Sequence, residues 1–477
     1  MKSLSVGTST LYMTMASVGQ KIISFVYFAI IARSLGAGDT GKYFFALSFT
    51  TIFVVFVDMG FTNVLVREGA RLKQKISDII SSVLYVKIFL SLGSYIVMAG
   101  VLLMLNHEFE TQTLVLISGI TMLFDSLQTT LYGALRAVGN VKYEALGILV
   151  SQLVTLILGT IFLYFKLPLY FLMIAFLIPS ILSSVFAGYI AHSRYAIRLR
   201  PRYVREIVRY LIPITIPFAL ATIFGRILSY ADSVMLSKMA GDVAVGWYSV
   251  PYKIAYAFQF IPFALIAGLY PRLSEYFVDD TKRFSEVFNQ GLRYLLLVSI
   301  PLSVGIVVLS TDIIYTFFGN EYEGSIVPLQ ILMFGIVPSF MNILLGALLN
   351  AAGRQNMQTA IIGSMMCVNI VLNAFLIPKL GPVGAALSAT IGNWLITGIS
   401  WVVVVRTVVL EHVKNAWLIG KLLISSAVMS AGVMYMGIFD ISVMVRALVG
   451  ACIFGCVFIL CRGVTHEDIA YFKSLKT

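Results

Sequence analysis

Apolar stretches of about 20 residues follow one another along almost the whole chain, separated by short polar turns. Each is long enough to cross a bilayer core ~30 Å thick as a helix. The pattern predicts about 14 spans. The first seven fall at 9–31, 43–66, 79–104, 113–135, 145–165, 169–190 and 211–231. The second seven fall at 247–269, 294–310, 325–349, 359–377, 383–405, 417–436 and 444–461. A helix satisfies its own backbone polar groups inside lipid, so the expectation is an all-α integral membrane protein, and no β-barrel is needed.

The pattern also repeats. Leu35-Gly36-Ala37-Gly38-Asp39-Thr40-Gly41-Lys42-Tyr43, after the first span, resembles Met239-Ala240-Gly241-Asp242-Val243-Ala244-Val245-Gly246-Trp247-Tyr248 after the seventh. Arg67 closes the second span as Arg272 closes the eighth. Gly133-Ala134-Leu135 followed by Gly139-Asn140 matches Gly346-Ala347-Leu348 followed by Gly353-Arg354. A common offset of about 205–214 residues is the mark of an internal duplication. Six spans per copy leave both copies the same way up, as parallel repeats whose transport site lies between them. The expected organisation is an N-terminal six-helix lobe at 1–191, a cytoplasmic linker at 192–209 and a C-terminal six-helix lobe at 210–406, around a central cavity. Residues 407–477 add two transmembrane helices and a cytoplasmic tail. Within the linker, Pro201 is placed to start a short interfacial helix, with Val204, Ile207 and Val208 set among arginines.

Charge supplies the orientation. Hydrophobic residues make up 59% of the chain and charged ones 12%, with a net charge of +12. Loops on the side of the two termini hold roughly 24 Lys and Arg against roughly 6 on the other side, which makes the terminal side cytoplasmic. The densest blocks are Arg67, Arg71, Lys73 and Lys75, then Arg194, Arg198, Arg200, Arg202, Arg205 and Arg209. The turn His107–Glu108–Phe109–Glu110 and the turn around Glu321 and Glu323 lack basic residues and are expected outside. The expected location is the cell (cytoplasmic) membrane, multi-pass, with the first span retained because no signal-cleavage pattern interrupts it. The basic collars suit anionic inner-leaflet lipid. Nucleic acid is not expected, since no basic, aromatic-bearing soluble domain exists to bind it. Cys367, Cys452, Cys456 and Cys461 sit as small apolar residues, with neither a disulfide framework nor metal-ligand spacing.

Four basic residues fall within the spans: Lys21, Lys87, Arg226 and Lys253. Lys21 is about 11 residues from either end of its span, some 16 Å at 1.5 Å per residue, too deep for easy snorkelling. An ionised group at that depth marks a binding site or a pathway. The reading is an anion site with Lys21 foremost, then Arg226, Lys253 and Lys87; the alternative for each is a structural pair with an acidic neighbour. Asp125, Asp58 and Asp232 are candidates for charge pairing or for carrying a coupling ion, H+ or Na+. No phosphate loop, catalytic carboxylate pair, nucleophile elbow or ATPase domain is present, so no enzyme, no catalytic residue and no cofactor are expected.

Ala32-Arg33-Ser34-Leu35-Gly36-Ala37-Gly38-Asp39-Thr40-Gly41-Lys42-Tyr43 resembles the first-loop signature of polysaccharide-exporting flippases in the multidrug/oligosaccharidyl-lipid/polysaccharide superfamily. Asp58-Met59-Gly60-Phe61 with Val66-Arg67-Glu68 is similar to that family's second-helix ending. Ala137-Val138-Gly139-Asn140 with Tyr143-Glu144, Phe318-Gly319-Asn320-Glu321-Tyr322 and Ile377-Pro378-Lys379-Leu380-Gly381-Pro382-Val383-Gly384-Ala385-Ala386 resemble its later landmarks. The resemblance implies translocation of a polyprenyl-pyrophosphate-linked oligosaccharide by alternating access, for O-antigen, capsule or exopolysaccharide assembly. Polysaccharide-assembly proteins are then possible partners. It also implies cavity-facing basic residues on the first and eighth helices, the places of Lys21 and Lys253. Two other readings stay open: a cation-coupled multidrug exporter of the same superfamily, and, more remotely, a membrane glycosyl polymerase or ligase, which the short outer loops disfavour.

Overall fold

A computed structural model describes residues 6–405, 412–439 and 441–463. Both termini lie outside the described residues, as does the Arg406 boundary expected for the second lobe. The described elements are helices: α1 (Val6–Asp58), α2 (Phe61–Arg71), α3 (Ile76–Leu105), α4 (Phe109–Ala137), α5 (Lys142–Tyr164), α6 (Tyr170–Tyr195), α7 (Arg205–Ala240) and α8 (Asp242–Ala257). They continue as α9 (Phe260–Asp279), α10 (Thr281–Phe317), α11 (Ile326–Phe334), α12 (Ile336–Ala351), α13 (Gln355–Leu380), α14 (Pro382–Val404), α15 (His412–Gly437) and α16 (Val443–Leu460). Among the described residues, 13 helical segments are long and apolar enough to cross a membrane. The first of them, Tyr12–Arg71, holds two of the predicted spans, because α1 bends at Gly36 (φ 75°, ψ 179°). The all-helical class and the span count of the hydropathy reading therefore stand.

Three predicted spans are broken where an unbroken helix was expected. The second stops at Asp58 and resumes at Phe61, with Met59 and Gly60 at positive φ (42° and 81°). The eighth divides into α8 and α9 around Phe258 and Gln259, and the tenth into α11 and α12 at Gly335. Hydropathy averages over a window and does not register a local change of φ/ψ, so breaks of this kind leave no trace in it.

The linker is also not a separate helix. Residues 196–204 run without helix, and the first helical residue after them is Arg205. Pro201 does not nucleate because the strap's backbone groups take partners on α3. The Arg198 amide donates to Ser77 Oγ (3.2 Å), Ser81 Oγ donates to the Arg198 carbonyl (3.3 Å), and the Arg202 amide donates to the Ser81 carbonyl (3.1 Å). Ile197 is buried and Leu199 half-buried, whereas Arg198, Arg200 and Arg202 are exposed. That two-residue alternation is the pattern of an extended segment.

By packing, the chain divides into two compact units, Met1–Ser249 with Ile362–Gly381, and Val250–Ile361 with Pro382–Thr477. The first is centred on Phe61, Leu65, Ile80, Val83, Leu131, Leu135 and Ala191, drawn from α2, α3, α4 and α6, with Ile197 of the strap and Leu211 of α7 completing the cluster. Small residues let these helices approach: a Cβ added at Gly147 would lie 1.9 Å from the Tyr132 hydroxyl, which bonds Ser183 Oγ at 2.8 Å. On α3 the apolar side chains of Ile88, Leu92, Ile96 and Leu103 are exposed while Lys87 and Ser94 are buried, the inside-out distribution of a lipid-facing helix.

The second unit is organised on α10, which touches α9, α11, α12, α15 and α16. Asp280 caps α10, its side chain accepting from the amides of Lys282 and Arg283 (3.1 and 3.0 Å). Leu309 of α10, Met429 and Val433 of α15 and Val443 of α16 form an apolar cluster, closed by an ion pair between Arg446 Nη2 and Asp312 Oδ1 at 2.7 Å. The last two helices are thus packed into this unit.

Candidate substrate pathway

Lys21 is half-buried on the first arm of α1. Thr14 and Ser17 above it are exposed, and Ser24 below it is half-buried. Their spacing of three, four and three residues places all four on one face of the helix. A second stripe runs along α7, where Thr222, Arg226 and Ser229 are all exposed. Such stripes inside apolar helices must meet water or protein, since hydrocarbon leaves hydroxyl and guanidinium groups unsatisfied. Asp125 and Thr129 are exposed one turn apart on α4, and Asp125 Oδ1 accepts from Ser180 Oγ of α6 at 2.5 Å. All these residues belong to the first compact unit, in which α1 touches α4, α5 and α7.

Lys87 has a different setting. It is 4% exposed, and its ammonium meets Asp58 Oδ1 at 2.6 Å, Thr130 Oγ1 at 2.7 Å and Thr62 Oγ1 at 3.2 Å. Thr62 also donates to Asp58. The three protons of the ammonium are matched by partners from α1, α2 and α4, so Lys87 and Asp58 are held in a structural pair. Asp232, 3% exposed, is held by neutral donors: the Tyr248 hydroxyl at 3.0 Å and Asn373 Nδ2 at 2.6 Å, with Asn369 Oδ1 next in line at 3.0 Å from the same amide. Lys253 lies in the second unit, half-buried on α8 between Tyr252 and Tyr256, whose rings stack 6.1 Å apart at 7°.

Sequence reasoning missed Tyr248, Asn369 and Asn373. The signal was present in Asn369 and Asn373, two amides four residues apart on one face of an otherwise apolar span. At one end of α3 and α4, Lys42 gathers Glu110 (2.8 Å) and Glu108 (3.3 Å), and Lys238 Nζ donates to the Leu105 carbonyl (2.8 Å). The His107 ring lies against Phe45, with centroids 4.4 Å apart and planes tilted by 44°. Burial there pulls its imidazole below the usual histidine value, opposed by Asp242 and reinforced by Lys238.

Stacked apolar helices carrying polar stripes and deep cations define a polytopic membrane carrier. Its relationships agree. The profile of the family described as "Polysaccharide biosynthesis protein" matches residues 6–277, more than half of the chain, so the protein belongs to that family. The MatE profile matches residues 217–375. The chain is 24% identical over 401 residues to the capsular polysaccharide biosynthesis protein CapF of Staphylococcus aureus, covering 80% of this chain and 95% of CapF. Among solved structures, the lipid II flippase MurJ in an inward closed conformation superposes with a TM-score of 0.77 at 18% identity, over 96% of this chain and 100% of MurJ. An inward-facing multidrug resistance transporter of the MATE family gives a TM-score of 0.65 at 13% identity, over 84% and 94%. The fold is that of this superfamily of transporters.

Proposed function

We propose that this protein is a flippase that moves a polyprenyl-pyrophosphate-linked oligosaccharide across the cytoplasmic membrane by alternating access, in the assembly of a surface polysaccharide. The observation that carries the reading is a deep cation, Lys21, on a polar stripe of a membrane-spanning helix in a chain of the polysaccharide biosynthesis family. Lys21, with Arg226 on the same compact unit, holds the pyrophosphate electrostatically. The glycan crosses in water and the polyprenyl tail stays in lipid. No bond is made or broken, so the protein is a transporter with no catalytic residue. The two repeats act as six-helix lobes, 1–191 and 210–406, and Asp125 and Asp232 are the carboxylates through which a coupling H+ or Na+ acts. In the cell the carrier works beside polysaccharide-assembly proteins. A direct test is reconstitution into vesicles with a fluorescent polyprenyl-pyrophosphate oligosaccharide: the labelled lipid should move between leaflets faster than in protein-free vesicles. Equal rates would defeat the reading.

The MatE match over residues 217–375 favours one second reading, export of organic cations. It predicts raised drug tolerance on expression and no effect on surface glycan; the flippase predicts the reverse.

Both termini and the linker are cytoplasmic on this reading. With the four native cysteines replaced, a cysteine at Arg198 should resist a membrane-impermeant thiol reagent added to intact cells, and one at Glu323 should react. Both positions are solvent-exposed. Reaction at position 198 would invert the topology.

A further inference from the structure

One face of α8 carries aromatic and polar side chains where a lipid-facing helix carries aliphatic ones. Val250, Pro251 and Ile254 are buried and mark the side packed against protein. At 3.6 residues per turn, Tyr252, Lys253 and Tyr256 share an arc of about 100° on the opposite side. Tyr252 and Lys253 are half-buried and Tyr256 is 41% exposed. The two tyrosine rings stand parallel, with centroids 6.1 Å apart and planes 7° from each other. Gln259, half-buried, follows in the break after α8, its amide donating to the Tyr256 carbonyl at 3.2 Å. On α3 the exposed positions are instead Ile88, Leu92, Ile96 and Leu103.

Lys253 lies 11 residues into the helix that starts at Asp242, about 16 Å along its axis, deeper than the headgroup belt in which tyrosine and lysine anchor a span. An ammonium and a carboxamide at that depth require water or protein, since hydrocarbon satisfies neither. Nor does the fold itself call for these residues. The spacing from Gly41 to Gly246 and from Arg67 to Arg272 is the same, 205 residues. By that offset, Tyr252, Lys253, Tyr256 and Gln259 stand where the first repeat has Leu47, Ser48, Thr51 and Val54. The aromatic pair and the cation beside it belong to the second repeat alone.

We propose that Tyr252, Lys253, Tyr256 and Gln259 form a sugar-binding platform in the second unit, which takes a pyranose ring of the glycan during its passage. A pyranose presents a face of C–H bonds and an edge of hydroxyls. The flat, exposed ring of Tyr256 receives the C–H face, and Tyr252 behind it holds that ring in place. Two carbon contacts of about 3.5–4 Å each exceed the gap between the rings, so the sugar lies on the outer side of Tyr256 and not between the pair. Lys253 and Gln259 supply ammonium and carboxamide groups for the hydroxyl edge. Passage of the glycan rests on the flippase reading; affinity for sugar does not, and the two are measured apart.

For affinity, the full chain is purified in detergent and mixed with the oligosaccharide that mild acid releases from the polyprenyl-linked pool of the cells that make it. Saturation transfer from protein to sugar is read by NMR. In the parent, saturation should reach the ring C–H protons of the sugar. In Tyr256→Leu, which keeps apolar bulk and removes the ring, the affinity read this way should fall about tenfold, and Tyr256→Phe should recover most of it. An absence of transfer in the parent would overturn the platform. So would transfer unchanged in monodisperse Tyr256→Leu and Tyr252→Leu proteins, which would return the tyrosines to lipid-facing anchors. For passage, vesicles compare the glycan-bearing lipid with sugar-free polyprenyl pyrophosphate. The ratio of the two rates should fall about tenfold in Tyr256→Leu and recover in Tyr256→Phe. A ratio equal to the parent's would count against the platform. A parent that binds the sugar and moves neither lipid would defeat the flippase reading and uphold the platform.

Discussion

Replacing Lys21 by glutamate should abolish glycan export while leaving the protein in the membrane at parental levels. Lys21 is half-buried, with Thr14 and Ser17 exposed on the same face of α1, so its surroundings are less polar than bulk water. At an effective dielectric of about 20, a unit charge 4 Å from a phosphate charge is attracted by on the order of 4 kcal/mol. That is close to a thousandfold in affinity, and reversing the sign turns it into repulsion of similar size. Lys21→Ala should therefore lose most export and Lys21→Glu all of it. Lys21→Arg, which keeps the charge but changes the donor geometry, should retain part. The measurement is surface glycan in a strain lacking its own flippase, with membrane protein quantified alongside. Normal export from a well-expressed Lys21→Glu variant would remove this residue from the pathway.

The second large effect is on stability. Lys87→Met leaves the Asp58 carboxylate with Thr62 as its hydroxyl donor and no adjacent ammonium, inside a site where Lys87 itself is 4% exposed. Breaking a buried pair from one side costs about 3–5 kcal/mol, whereas removing both charges is often close to neutral. Lys87→Met and Asp58→Asn should each lower the unfolding temperature in detergent sharply, and the double variant should recover most of the loss. A double variant as unstable as the worse single one would show that the two residues do not act as a pair.

The number of spans and the all-helical class were legible in the chain because they depend on hydropathy, which is local. What was not legible depends on partners far along the sequence. Lys87 is held by Asp58, 29 residues away, and by Thr130, 43 away; a span-by-span reading sees a lysine and an aspartate but not their meeting. Asp232 meets Asn373 across 141 residues. The strap shows the same limit from the other side. Pro201 and the apolar positions after it do satisfy the rules for a helix start, and those local preferences are overridden by Ser77 and Ser81 of α3. The break at Met59–Gly60 hides in apolar sequence because a change of φ costs hydropathy nothing.

The strap has a mechanical meaning as well. Counted in sequence, the joint between the repeats is the segment 192–209, long enough to act as a slack tether. Its backbone is fastened to α3 as far as the Arg202 amide, and α7 begins at Arg205. The fastening does not end there, because Leu211 of α7 is buried in the same cluster as Ile197 and the Tyr210 hydroxyl donates to Glu68 of α2. What counts as a linker in sequence is thus fastened at both ends to the first unit, and the start of α7 is anchored with it.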